Sequence, residues 1–261
     1  PPGNITQVRL QTVAPNRLLR QTVWRDFDEI IDMAEDLADK HRNFEFYYSP
    51  CSGIGLTDVH DITDEPVAST GKLDGNEGVE TLKMVRDWLE WSPGLRELIL
   101  GGYARTVADE VTVESSWKNY ASERNVRFNE MEYHLPREHG MAAMREIRQA
   151  LESQHQEVFF PIEVRFVKGD DIWLSPFYQR DTVSIAVHRY FEEDFEPFFR
   201  TIEPIFRKYQ GRPHWGKLNT LTREDFRRLY PHWDDFVAVR KQMDPDGRFL
   251  NPYLRSLFGE G

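Results

Sequence analysis

Glu163 and Arg165 stand two places apart in the run 158–167, where Phe160, Ile162, Val164 and Phe166 occupy the other parity. Side chains alternate faces along a strand, so the apolar four share one face while the carboxylate and guanidinium share the other. The run 182–190 sorts the same way, with Val183, Ile185 and Val187 on one side and Thr182, Ser184, Ala186, His188 and Tyr190 on the other. If the two strands are neighbours with their apolar faces on one core, Glu163, Arg165 and His188 line a common polar surface. A carboxylate, a guanidinium and an imidazole side by side can bind a polyhydroxylated substrate and handle a proton. The same alternation also describes an ordinary amphipathic hairpin with a solvated outer face, on which Glu163 and Arg165 form a same-face ion pair. On alternation alone, the hairpin is the weightier reading.

The elements that must position these residues follow from period and punctuation. Residues 5–24 are rich in Val, Leu and Thr and read as extended, broken near Pro15-Asn16. Asp26 and Glu29 open a helix to about Lys40, with Phe27, Ile30, Ile31, Ala34, Leu37 and Ala38 at helical spacing. Residues 44–48 have the aromatic content of a strand, while 57–77 are acidic and rich in turn residues and read as a long loop. Helical period returns over 79–91 and, less clearly, over 95–120. A strand is expected at 129–135, and Met141, Met144, Ile147 and Leu151 mark a further helix. Phe195, Phe198, Phe199, Ile202, Ile205, Phe206 and Tyr209 form an aromatic helical stripe that reads as core, with Pro204 kinking the helix or facing out and Gly211 as its C′ residue. Thr222 and Asp225 start a helix at Arg223, and another runs from Trp233 to Asp244-Pro245. The fold class is α+β: a large, mostly antiparallel sheet covered by helices, with a helical C-terminal segment.

Composition excludes several classes of function. At 261 residues the chain can bury a substantial core, and 39% apolar with 13% aromatic residues is the balance of a folded globular protein. A net charge of -11 argues against nucleic acid, whose affinity comes from Lys and Arg on phosphates. The single cysteine, Cys51, rules out an internal disulfide and reads as a structural thiol; a reducing, cytoplasmic compartment fits. No apolar run is long enough for a membrane span and no signal peptide is visible. The eight histidines show no closely paired ligand spacing, so no metal is assigned. Pro1-Pro2-Gly3 leads into an expected strand as though upstream sequence had been removed.

Arg212-Pro213-His214-Trp215-Gly216-Lys217 and Asp244-Pro245-Asp246-Gly247-Arg248-Phe249-Leu250-Asn251-Pro252-Tyr253-Leu254 change the balance. With Glu163-Val164-Arg165-Phe166, the loop Asp171-Ile172-Trp173-Leu174-Ser175-Pro176 and Arg180-Asp181-Thr182, they resemble, in order and spacing, the aldonolactone oxidase and alditol oxidase family of FAD-linked oxidoreductases, of the vanillyl-alcohol-oxidase type. The match is densest over 157–259. Fainter echoes are Gly3-Asn4-Ile5-Thr6-Gln7-Val8, which looks like the last strand of a flavin domain, and Glu132-Tyr133-His134-Leu135-Pro136.

The resemblance implies three parts: residues 1–10 as the end of an FAD domain otherwise absent from the chain, 11–210 as a substrate-binding cap, and 211–261 as a segment returning to the FAD domain. It implies Glu163 for substrate hydroxyls, Arg165 for charge stabilisation, His188 for proton acceptance or substrate contact, and Lys217 for substrate and flavin contact. His188 falls where lactone oxidases tend to have histidine, which favours a sugar-1,4-lactone over an alditol. His214, Asn251 and Tyr253 are further flavin-contact candidates; for His214 and for Trp215 packing at the turn and a place in the flavin pocket are equal readings, and for Asn251 and Tyr253 packing is the better one. The partners implied are a sugar lactone or polyol and the FAD domain; the isolated chain is expected to be inactive. A non-catalytic sugar-binding or interaction domain is the rival, given room by the acidic stretch 58–80. A glycoside hydrolase using Glu163 with Asp170 or Asp171 is the other, which the resemblance does not support.

Overall fold

A computed structural model describes residues 7–68, 75–89, 91–121 and 125–259. In chain order the elements are β1 (Arg17–Asp26), α1 (Phe27–Lys40), β2 (Asn43–Tyr48), β3 (Ile54–Thr63), α2 (Gly75–Trp88), α3 (Pro93–Ala104), β4 (Glu110–Ser115), α4 (Ser116–Tyr120), β5 (Phe128–Pro136) and α5 (Arg137–Gln154). The second half continues with β6 (Ile162–Val167), β7 (Thr182–Tyr190), α6 (Glu196–Lys208), β8 (Arg212–Pro213), α7 (Arg223–Leu229), α8 (Trp233–Met243) and α9 (Pro252–Phe258). The strands form one eight-stranded sheet in the order β4-β1-β3-β2-β6-β7-β5-β8, antiparallel at every pairing. The α+β expectation holds, and β6 and β7 are neighbours, with Val164 opposite Ile185.

One face of this sheet is the core. Phe44, Phe46 and Tyr48 of β2, Ile162 and Val164 of β6, Val183, Ile185 and Val187 of β7 and Met131, Tyr133 and Leu135 of β5 all point into it and are buried. Helices α1, α5 and α6 cover that face with Phe27, Ile30 and Ala34, with Met144, Ile147 and Leu151, and with Phe198, Ile202 and Phe206. Each fully buried Leu, Ile or Phe contributes roughly 1.5–3 kcal/mol relative to exposure. That burial, summed over three amphipathic helices, forces every opposite-parity side chain onto the other face. Gly140 lets α5 lie close on β7, since a Cβ there would stand 2.5 Å from Val183 Cγ2.

Several local expectations are corrected. Residues 57–63 are strand rather than loop: Thr57 and Val59 face the core with Phe46 and Phe44 opposite, and the acidic Asp58 is tolerated because Arg20 pairs with it. The expected long helix over 95–120 is three elements, because β4 pairs along β1 as the edge strand of the sheet before the short α4 begins. Gln7–Asn16 carries no strand, leaving Val8, Leu10 and Val13 exposed; the earlier part of the expected first strand lies outside the described residues. Strand β6 is shorter than 158–167 and begins at Ile162. Pro204 sits on the exposed side of α6, but the left-handed residue after that helix is Gln210 (φ 55), not Gly211. Gly211 is needed for close approach instead: a Cβ would meet Phe206 O at 2.9 Å.

Residues after β8 share the same core. Trp215, Phe226, Trp233 and Phe258 stack against one another, with the Trp233 and Phe258 rings 4.7 Å apart, and Leu221, Phe226 and Phe258 belong to the buried cluster of α5 and α6. Helix α7 starts on a full capping box between Thr222 and Asp225.

Candidate active site on the polar face of the sheet

The face opposite the helices carries the chemistry. Antiparallel register aligns Tyr47, Glu163, Ala186 and Glu132 in one row across β2, β6, β7 and β5. The next row is Asp58, Glu45, Arg165, Ser184 and His134, and Glu130 lies opposite His188 one step the other way. Glu163, Arg165 and His188 are therefore on one surface, as strand parity requires.

Two linked groups make up the site. In the first, Arg165 reaches Glu132 Oε1 at 3.1 Å and Glu163 Oε1 at 3.4 Å. Its side chain remains 40% exposed, whereas Glu163 and Glu132 are nearly buried. Burial disfavours the guanidinium charge, but Glu163, Glu132 and Glu45 together raise its pKa. In the second group, Glu130 is ion-paired to Lys217 and lies 3.5 Å from His188 Nε2. Burial alone would raise the Glu130 carboxyl; hydrogen bonds to His188 and Lys217 override it and hold the group at about 2. Lys217 is brought in because the chain after β8 runs along β5, with His214 N donating to Glu132 O and Leu218 N to Glu130 O.

The orientation of His188 follows from hydrogen-bond chemistry. Its Nδ1 lies 3.1 Å from Pro161 O, and a carbonyl can only accept, so Nδ1 carries hydrogen, and Nε2 donates to Glu130 only when the ring is doubly protonated. Phe128 meets the ring edge-on at 5.0 Å and Phe160 flanks it.

His134 closes the far end of the face. Its Nδ1 is 2.6 Å from Ser184 Oγ, and its buried Nε2 has no partner among the described residues. Burial, then the positive neighbours His214, Arg165 and Arg180, lower this imidazole to about 3, so it is neutral. The other expected contacts divide. His214 lies beside His134 with ring centres 5.9 Å apart, and its Nδ1 accepts from Gly216 N. Asn251 caps α9, accepting from Leu254 N at 2.8 Å, and Tyr253 Oη accepts from Asn219 Nδ2 at 3.3 Å; neither side chain reaches the acid–base cluster in these contacts. Trp215 packs among the C-terminal rings and donates to Leu174 O.

Sequence reading passed over Glu130 and Glu132, which organise both groups. The signal was present, since Glu130, Glu132 and His134 alternate with Met131, Tyr133 and Leu135. Glu45, Tyr47 and Arg20 lie on stretches whose composition reads as strand but singles out no chemistry, and Asp58 and His60 lie on β3, whose acidic composition reads as loop. Two open hollows lie elsewhere: one of about 400 Å³ beside Arg148 and Glu152, and one of about 510 Å³ beside Asp170 and Arg180. The exposed side of Arg165 is where the cluster opens to solvent. Among the described residues no three His, Cys, Asp or Glu are grouped to hold a metal ion, and no described helix is long and apolar enough to cross a membrane.

Comparison with known proteins adds an independent line. The family model described as D-arabinono-1,4-lactone oxidase matches residues 8–257. An L-gulono-1,4-lactone dehydrogenase of Mycobacterium tuberculosis is 36% identical over 265 residues, covering 98% of this chain and 61% of that protein. The L-gulonolactone oxidase of Bos taurus is 31% identical over 98% of this chain and 60% of its own length. An alditol oxidase of Streptomyces sp. is 37% identical over 129 residues, 48% of this chain and 30% of that protein. The chain thus spans about three-fifths of the first two relatives. Among solved structures, a cholesterol oxidase from Brevibacterium sterolicum superposes with a TM-score of 0.68 at 16% identity, covering 94% of this chain and 60% of that one. A VAO-type flavoprotein from Myceliophthora thermophila superposes at 0.54 and 11% identity, over 89% of this chain and 46% of that one. These two likenesses concern the fold.

Proposed function

The chain belongs to the D-arabinono-1,4-lactone oxidase family, and from that premise we propose that it is the substrate-binding portion of an FAD-dependent oxidoreductase that oxidises a sugar-1,4-lactone. In this reading residues 11–210 are the cap, 211–261 return to the flavin domain, and FAD is held mainly by a domain outside these residues. The isolated chain is then inactive. A cytoplasmic location suits its one buried thiol.

The residues present fit a redox ring. The orphaned Nε2 of His134 and the open side of Arg165 offer hydrogen-bonding and positive groups in one row of the same sheet face. Lys217, His214, Asn251 and Tyr253 are the residues proposed to hold it. When bound, the isoalloxazine supplies the hydride acceptor.

The chain's own task is orientation and charge. Glu163 accepts from substrate hydroxyls while Arg165 fixes its orientation. Arg165 and Lys217 place positive charge where the substrate oxygen becomes negative as its proton leaves. His188 Nε2 receives that proton, and Glu130 holds the resulting imidazolium and the ammonium together. The observation that carries this reading is the pair of partly exposed cations, Arg165 and Lys217, each anchored by a β5 carboxylate on one face of the sheet.

The test is steady-state turnover of the FAD-loaded protein that carries this chain, with L-gulono-1,4-lactone, D-arabinono-1,4-lactone and xylitol as substrates and a dye or oxygen as acceptor. Lactone oxidation is expected, and Arg165→Leu and Lys217→Met should each lower kcat on the order of 10²–10³-fold. Absence of lactone oxidation, or full turnover in both variants, would sink the reading. Faster turnover of xylitol than of either lactone would move it to an alditol oxidase, which the alditol oxidase likeness over 48% of the chain keeps in view.

A further inference from the structure

The β2 end of the polar face takes no part in the chemistry above, yet it is built unlike a solvated outer face. Glu45 and Tyr47 alternate with the buried Phe44, Phe46 and Tyr48. Register sets Tyr47 beside Glu163, and Glu45 between Arg165 and Asp58. Tyr47 Oη lies 2.9 Å from Glu45 Oε1 and 3.5 Å from Glu163 Oε1. Around them the cations are already engaged: Arg20 Nε sits 3.0 Å from both Asp58 oxygens, and Arg165 is held by Glu132 and Glu163. Glu45 is thus a half-buried carboxyl whose hydrogen-bond partner is a phenol, a costly arrangement unless some further group uses it.

We propose that Glu45 and Tyr47 form a second hydroxyl-binding subsite, one strand's width from Glu163, that receives the exocyclic hydroxyls of a sugar lactone and selects for lactones bearing such a tail. The inference rests on the lactone reading above. Neighbouring strands lie roughly 4.8 Å apart, so a lactone ring held at Glu163 and Arg165 and lying across the strands brings its side chain over Glu45. Burial, and then the charge of Glu163, raise the Glu45 carboxyl above its usual range, so it keeps a proton more readily than an exposed glutamate. The Tyr47 phenol donates and accepts while the Glu45 carboxyl beside it accepts, and together they match a hydroxyl group. A half-buried site of this kind discriminates strongly, because a substrate without the hydroxyl leaves its polar groups unpaired.

The experiment compares two substrates in the FAD-loaded protein that carries this chain: a six-carbon 1,4-lactone with its exocyclic diol, and a four-carbon hydroxylactone without one. The ratio of their kcat/KM values is measured for the unaltered protein, Glu45→Gln and Tyr47→Phe. The subsite requires that ratio to fall about tenfold in Tyr47→Phe and to fall in Glu45→Gln. Saturation-transfer NMR should show the exocyclic protons of the longer lactone losing their transfer in the same variants. An unchanged ratio overturns the proposal, whether both rates fall together, as they would if the pair merely supported Glu163, or neither moves. If the unaltered protein oxidises neither lactone, the lactone reading itself fails and the subsite with it; oxidation with an unchanged ratio removes the subsite alone.

Discussion

On the β5 side of the polar face the Glu130 carboxylate sits between an ammonium and an imidazole; on the β2 side the Glu45 carboxyl sits beside a phenol and a second carboxylate. Both residues are largely screened from water on one face of one sheet. Glu130 is held ionised at about 2, and Glu45 is pushed upward. Residue type and burial are shared, so the difference comes from which neighbours the register supplies. Burial magnifies a carboxylate's surroundings, and the partner decides the sign. The β5 side is thereby a place for fixed charge and the β2 side a place where a carboxyl is hydrogen-bonded by a phenol rather than a cation, two conditions that charge stabilisation and hydroxyl binding ask for separately.

The sharpest way to break this contrast is Glu130→Gln. With its folded pKa depressed from 4.5 to about 2, Glu130 contributes stability that is present above about pH 4.5 and lost as pH falls toward 2. The variant should lose about 2 kcal/mol at neutral pH, less than the full shift implies because Lys217 is partly exposed. Urea unfolding at pH 7 and pH 3 checks this: the deficit should shrink at the lower pH, and a deficit equal at both would reject the ion-pair account.

Glu45→Gln should have a smaller effect of the opposite pH sense. A raised carboxyl contributes fully below its ordinary 4.5 and loses that contribution as pH rises through the folded value. Between pH 5 and pH 8 the unaltered protein should therefore lose more stability than the variant. Thermal melts at both values decide it, and a variant that loses more than the parent would contradict the assignment. Smallest is Thr222→Ala, far from both ends of the face, which removes one side of the α7 capping box. It should cost about 1 kcal/mol, equally at pH 5 and pH 8, and so marks how much of any change in the other two is electrostatic.

Much of this face was legible before coordinates. Period-two alternation around Glu163, Arg165 and His188 put them on one surface, and the short motif ending in Lys217 pointed to the same place. What escaped was legible in principle at β5, where Glu130 and Glu132 follow the same parity, but nothing in a linear chain says that β5 lies beside β7 rather than elsewhere in the sheet. β3 escaped for a different reason. Asp58, His60 and Asp61 make 57–63 look like solvated loop, and only Arg20 on β1 and Tyr120 on α4, which meet Asp58 and His60, make the stretch a strand. Local propensity yields to such pairing when the partner is distant in sequence.

By itself the amino-acid sequence determined most of the helices and strands around the core, though not β3, together with the α+β class and which side chains share a face, because periods of 2 and 3.6 are properties of the backbone that a local run of residues reveals. The tertiary structure alone decided strand order and register, and with them that Lys217 and His188 share Glu130 while Arg165 shares Glu132. Those pairings join residues up to 87 positions apart. Their energies depend on distance and burial, neither of which a linear pattern carries.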